Sequence, residues 1–218
     1  MAYPQIKLQT ITADFAKEDS IEFYESLFNQ ISAQDISILV NNVGQYIGST
    51  TGCSVEKIRD SVVVNTLPII MMTKEFVMRY KSSLSNRKAI INVGSATHNF
   101  HVPSQAIYNS CKHYTQMLSV SENYNFAPVG TDILVVKPHF VSSGVCDFRE
   151  VDSVTSTPEE VVKGSFRSLG HVDESYGSDK HIRYARFSNM IRHYGGQRLG
   201  RFWLDMSGGS LNKLYKSY

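Results

Sequence analysis

Three short apolar runs, 36–40 (ISILV), 89–93 (AIINV) and 132–136 (DILVV), constrain this chain more than any other feature in it. Runs of this length, rich in aliphatic residues and without alternation, suit strands buried on both faces. Between them, residues 55–80, with Pro68 as an irregularity, and residues 105–124 read as helices. Strands that alternate with helices imply right-handed crossovers and a parallel sheet. Ahead of these units, residues 6–12 alternate branched and polar side chains like a strand, and residues 20–31 repeat Ile21, Tyr24, Leu27, Phe28 and Ile31 at helical spacing. The expectation is an α/β fold built on a doubly wound parallel sheet. In such sheets ligands bind beyond the carboxyl ends of the strands, which singles out Asp14, the turn Asn41-Asn42-Val43-Gly44, Ser95 and residues 138–143.

A length of 218 residues with 42% apolar content is enough to bury one core without staples. The net charge of +2 gives no reason to expect nucleic acid as a partner, since phosphate-backbone binders concentrate basic charge. Charge is uneven, however. Residues 1–182 form the main unit, whereas residues 183–218 form a basic, aromatic extension with Arg183, Arg186, Arg192, Arg198, Arg201, Lys213 and Lys216 against Asp205 alone. That extension reads as a solvated tail, or as a contact for an anionic membrane surface or a phosphate-bearing substrate. Cys53, Cys111 and Cys146 lack metal-ligand spacing and read as free thiols. His98 and His101 have no Cys or acidic partner nearby, so no metal site is expected. Gly195-Gly196 and Gly208-Gly209 read as turns. Neither a signal peptide nor a run of about 18 apolar residues is visible.

A tyrosine four residues before a lysine on a helix places both side chains on one face, where an ammonium can stabilise a phenolate. Chance alone accounts for roughly 0.7 such pairs in a chain of this composition. The chain has Tyr3/Lys7, Tyr108/Lys112 and Tyr176/Lys180. Context favours Tyr108/Lys112, which sits early in a predicted helix and follows Ser95 at the end of an apolar strand.

Ser95 with Tyr108-x-x-x-Lys112, the Asn41-Asn42-Val43-Gly44 turn, Asn65 on the long helix and the segment Pro138-His139-Phe140-Val141-Ser142-Ser143 together resemble the short-chain dehydrogenase/reductase family. The likeness runs from about Tyr3 to Gly177. It is nearest to the branch of very-long-chain 3-oxoacyl-CoA reductases and 17β-hydroxysteroid dehydrogenases, through the valine of the Asn-Asn-Val-Gly turn, Phe140-Val141, Thr157-Pro158-Glu159, Gly170, Gly177 and His181. The resemblance implies a Rossmann-like sheet and reduction of a ketone, acyl-CoA or steroid, with NADPH. It implies Ser95, Tyr108, Lys112 and Asn65 as the catalytic set. Asp14, Asn41, Gly44, Tyr108, Lys112, Pro138, Val141 and Ser143 would contact the cofactor.

Chemically, Tyr108 would protonate the alkoxide left by hydride delivery, and Lys112 would lower its pKa from the ordinary value of about 10. Ser95 would orient the substrate oxygen, and Asn65, by resemblance, would hold a water that relays protons from Lys112. Family members commonly pair through the helices at 55–80 and 105–124, which allows a homodimer, and the branch resides at the endoplasmic reticulum, with the cytoplasm as the alternative.

The resemblance also implies a strand, a Thr-Gly-x-x-x-Gly-x-Gly turn and a helix N-terminus for the pyrophosphate. Residues 1–5 read instead as the end of the second crossover helix, so the first two strands and the glycine-rich turn are expected to be missing. A chain of this kind is expected to be a fragment or incomplete gene model of a reductase, one that holds NADPH weakly. The alternative is a non-catalytic interaction subunit on the same fold.

Overall fold

Residues 88–93 and 131–136 are buried almost throughout, so their backbone groups have to be satisfied within a sheet and not by water. In the computed structural model, which describes residues 5–99 and 105–207, they form strands β2 (Lys88–Val93) and β3 (Thr131–Val136). Strand β1 (Ile38–Asn41) lies parallel to β2 with Val40 opposite Ile91, and β2 lies parallel to β3 with Ile91 opposite Leu134. A fourth short strand, β6 (Glu174–Ser175), pairs in parallel with the end of β3, giving the order β1-β2-β3-β6. Between β3 and β6, β4 (Phe140–Val141) and β5 (Thr155–Ser156) make a separate two-stranded parallel sheet.

Parallel neighbours require crossovers, and helices supply them. After α1 (Ile21–Asn29), capped by Ser20, helix α2 (Val55–Arg79) joins β1 to β2 and α3 (Ala106–Phe126) joins β2 to β3. Helix α4 (Pro158–Ser168) leads to β6. It starts at a capping box in which Thr157 Oγ1 accepts from Glu160 N at 3.1 Å and Glu160 accepts from Thr157 N at 2.9 Å. Phe28, Phe76, Ile90 and Ile133 pack on one face of the sheet. On the other, Ile91, Leu134 and Val136 meet Val161 and Leu169 of the α4 region. Strands β2 and β3 are therefore covered from both sides, as the doubly wound pattern required, whereas Ile38 and Val40 of β1 stay exposed. Helix α2 keeps Pro68 inside a continuous helix, and by length and composition it is the one helix among the described residues that could cross a membrane. Here it buries Val64, Asn65, Ile69 and Phe76 within the domain.

Two expectations need correction. Residues 6–12 form no strand, and Ile6 and Leu8 are exposed. A strand is stabilised by a hydrogen-bonded neighbour, and among the described residues none lies beside this segment, so alternation alone does not hold it extended in a sheet. The boundary placed between residues 182 and 183 falls inside one helix, α5 (Asp179–Ser207), because Tyr184, Ala185 and Ser188 are buried against the domain. Gly196, at φ 69°, breaks that helix near its middle. Tyr3, His101, Gly208-Gly209 and residues 208–218 lie outside the described residues.

Candidate active site

Ser95 stands two residues beyond β2, and Tyr108 and Lys112 occupy the first turns of α3, so the crossover itself brings the three together. Ser95 is the polar side chain that acts on the Tyr108 phenol, favouring its charged form. Ser95 Oγ also lies 2.8 Å from Thr97 Oγ1, which donates to Asn109 Oδ1 at 2.9 Å. Thr97 has one hydroxyl proton and uses it on Asn109, so Ser95 donates to Thr97 in this arrangement. The result is a directed chain, Ser95 to Thr97 to Asn109. Thr97 and Asn109 went unnoticed in the sequence because neither stands in a spacing pattern of its own.

Electrostatics here differ from the expectation. Burial pushes the Tyr108 phenol up to about 12, with Ser95 opposing the shift, and Lys112 is not among the causes. Burial likewise brings Lys112 down to about 8. The reason is geometric: Lys112 Nζ donates to Val93 O at 2.9 Å and lies 5.7 Å from the Tyr108 ring centroid, so its cation is directed at a backbone carbonyl. The expected lowering of the Tyr108 pKa by Lys112 is therefore absent from this arrangement.

The turn after β1 closes over Lys112. A Cβ on Gly44 would lie 3.2 Å from Lys112 Nζ and 3.1 Å from Asn65 Oδ1, a fit that leaves little room for any other residue. Asn65, fully buried on α2, accepts from Gln45 N at 3.2 Å and donates to Gln45 O and Ser61 O, both at 2.7 Å. Its amide N–H groups hold the turn against the lysine. Asn41, at the end of β1, donates to Asn92 Oδ1 at 2.8 Å, and Asn92 donates to Ser119 Oγ at 2.9 Å. Asn41 thus ties β1 to β2 and α3 beneath the site. Asn92 and Ser119 were not recognised, since a polar residue inside an apolar strand run shows its partner only in three dimensions.

Asp14 accepts from Ala16 N at 3.1 Å and borders a cavity of about 290 Å³ shared with Phe15, Val43, Gln45 and Val64, which brings it beside the same turn. On the opposite side, Pro138 O accepts from Ala96 N at 3.0 Å, attaching the segment after β3 to the Ser95 loop. Val141 lies in β4, and Ser143 Oγ donates to Val141 O at 3.3 Å. Between them, His139 is buried against Tyr184, Tyr176 and His181, and burial followed by the neighbouring His181 depresses its pKa to about 3. Two further neighbours were not anticipated: the Tyr46 ring meets the Tyr108 ring edge-on at 5.5 Å, and Cys146 acts electrostatically on Tyr108.

A covered parallel sheet with a serine, tyrosine and lysine gathered at the carboxyl ends of its strands defines the short-chain dehydrogenase class of site. The family model for short chain dehydrogenases matches residues 2–151, and the chain belongs to that family. Among curated relatives it is 29% identical over 192 residues to 17-beta-hydroxysteroid dehydrogenase type 3 of Danio rerio, covering 85% of this chain and 61% of the relative. It is 25% identical over 174 residues to the very-long-chain 3-oxoacyl-CoA reductase of Aspergillus niger, covering 77% of this chain and 49% of the relative. The chain thus spans roughly half to three fifths of the relatives it matches. A short chain dehydrogenase of Burkholderia cenocepacia, solved in complex with NADP, superposes with a TM-score of 0.71 at 22% identity, covering 87% of this chain and 80% of the other.

Proposed function

We propose that this chain carries the ketone-reducing site of a nicotinamide-dependent oxidoreductase acting on a 3-oxoacyl-CoA or an oxosteroid. The carrying observation is the placement of Ser95 just beyond β2 and of Tyr108 in the first turn of α3, one helical turn ahead of the buried Lys112 ammonium. At a pKa of about 12, Tyr108 is phenolate in only about one molecule in 10⁵ at pH 7, so it stands ready as a proton donor, which is the role reduction demands. Ser95 can turn its proton from Thr97 Oγ1 to a substrate oxygen while still accepting from Thr97 N at 3.3 Å, and Tyr108 can donate to the same oxygen. When bound, the nicotinamide supplies the hydride. Lys112 has three N–H donors and gives one to Val93 O, which leaves donors for ribose hydroxyls beside the space kept open at Gly44. Asp14, Pro138, Val141 and Ser143 would line the remainder of the cofactor, the names of the curated relatives support the substrate classes given, and solved neighbours in complex with NADP or NADH support a nicotinamide cofactor, NADPH by likeness to the branch. Likeness to that branch supports a place at the endoplasmic reticulum membrane, with the cytoplasm as the alternative.

A second reading, a non-catalytic subunit that docks a copy of itself through α2 and α3, is favoured by two observations. An apolar depression of about 420 Å³ lies between Val62 and Thr66 on one side and Ile107, Cys111 and Tyr114 on the other. No Gly-x-x-x-Gly-x-Gly pattern occurs in the 218 residues. Both readings meet one experiment: NADPH oxidation with each ketone, by the chain alone and by the chain joined behind the strand, glycine-rich turn and helix of a related reductase. The joined form is expected to turn over, and Tyr108→Phe to lower the rate by about 10²–10⁴-fold with NADPH affinity kept, whereas Lys112→Ala lowers both. No turnover by the joined form would favour the docking subunit, and more than about a tenth of the rate in Tyr108→Phe would overturn the role given to Tyr108.

A further inference from the structure

Helix α5 presents two faces of different chemistry. His181, Tyr184, Ala185 and Ser188 recur at helical spacing and are buried, with Tyr184 packed on His139 and His181 bonded to Phe140 O at 3.0 Å. The outward face carries Phe187, Met190 and Tyr194, all exposed and again at helical spacing, with exposed Arg183 and Arg186 beside them. Beyond the break at Gly196 the same combination returns, in exposed Arg198, Leu199 and Phe202. An apolar stripe edged by arginines on a helix already anchored by its other side is costly to leave in water.

We propose that this outward face of α5 lies on an anionic lipid surface. Charge selects the occupant. From Arg183 onward the chain has seven basic residues and one acidic residue, Asp205, so a second copy of the same face would set arginine against arginine. A nucleic acid would satisfy the arginines but leave Phe187, Met190, Leu199 and Phe202 wet, whereas a bilayer interface takes cations at the headgroups and apolar side chains just below them. In that position α5 lies between the lipid and residues 138–140 of the candidate site, to which it is already bonded.

The whole chain can be tested as it stands. Sedimentation with vesicles of phosphatidylserine and phosphatidylcholine, and of phosphatidylcholine alone, is expected to show binding to the anionic vesicles that weakens as salt rises. Trp203, the single tryptophan of the chain, lies in this helix, and its emission is expected to shift to the blue on binding. Arg183→Gln with Arg186→Gln should weaken binding about fivefold for each arginine, and Phe187→Ser with Met190→Ser roughly tenfold or more. These four side chains are exposed, so folding is expected to persist, and circular dichroism checks it. Equal binding to both kinds of vesicle, indifference to salt, or full binding by the Phe187→Ser, Met190→Ser variant overturns the proposal. So does tight binding to duplex DNA with no blue shift on vesicles, which would make the face a polyanion site. The tryptophan shift and the salt dependence need no variant, so a misfolded mutant leaves the answer intact.

Discussion

His139 is a polar ring held where its Nε2 finds no partner among the described residues. Its pKa of about 3, against an ordinary 6.5, means that the folded chain leaves it neutral where the unfolded chain would charge it. The stability that depends on a neutral His139 is therefore complete above pH 6.5 and is lost progressively as pH falls from 6.5 toward 3, at no more than about 1.4 kcal/mol per pH unit. His139→Phe keeps a ring between Tyr176 and Tyr184 and removes the unsatisfied nitrogen. Urea unfolding at pH 7 and pH 4.5 is expected to show a smaller acid penalty in the variant, with the remaining penalty partly from His181, which burial also depresses. An unchanged penalty would mean that the acid sensitivity of this region lies elsewhere.

At the scale of elements, α4 is pressed onto the turn that follows β6. A Cβ built on Gly164 would stand 1.4 Å from Gly177 O, a backbone atom that cannot swing aside, and Gly177 itself holds φ 80°. Gly164→Ala is accordingly expected to cost about 3 kcal/mol, since helix and turn must separate. Gly48→Ala provides the comparison: nothing lies within 4 Å of its Cβ, and the change is expected to stay within about 0.5 kcal/mol. Chemical denaturation of the two variants decides this, and similar midpoints would mean that α4 does not dock as closely as the structure has it.

Over the whole molecule, the two ends of the sheet are finished differently. Val40 and Ile91 are register partners on one face, yet Ile91 is 4% exposed beneath the α4 region while Val40 is 51% exposed, and Ile38 beside it is 41% exposed. The outer edge of β1 has no strand neighbour among the described residues. Unpaired backbone next to a bare apolar face promotes association. Sedimentation velocity across a concentration series is expected to show self-association that Val40→Lys reduces. If association persists undiminished in that variant, the depression between α2 and α3 becomes the better candidate for the contact.

Local sequence determined the periodicity of the chain: apolar runs at 36–40, 89–93 and 132–136 became β1, β2 and β3, and the helical repeats became α1, α2 and α3, because burial on two faces or along one stripe is written into residue order. It also placed Ser95, Tyr108 and Lys112 on one strand end and one helix start, close enough for the crossover to join them. Three-dimensional packing decided what order along the chain does not contain. Residues 6–12 had the alternation of a strand and no neighbour to pair with. Thr97, Asn109, Asn92 and Ser119 entered hydrogen-bond chains whose partners lie up to 51 residues away in the sequence. The pKa values of Tyr108 and Lys112 followed depth of burial, and Lys112 turned its ammonium toward Val93 O; neither depth nor direction is a property of the Tyr-x-x-x-Lys spacing.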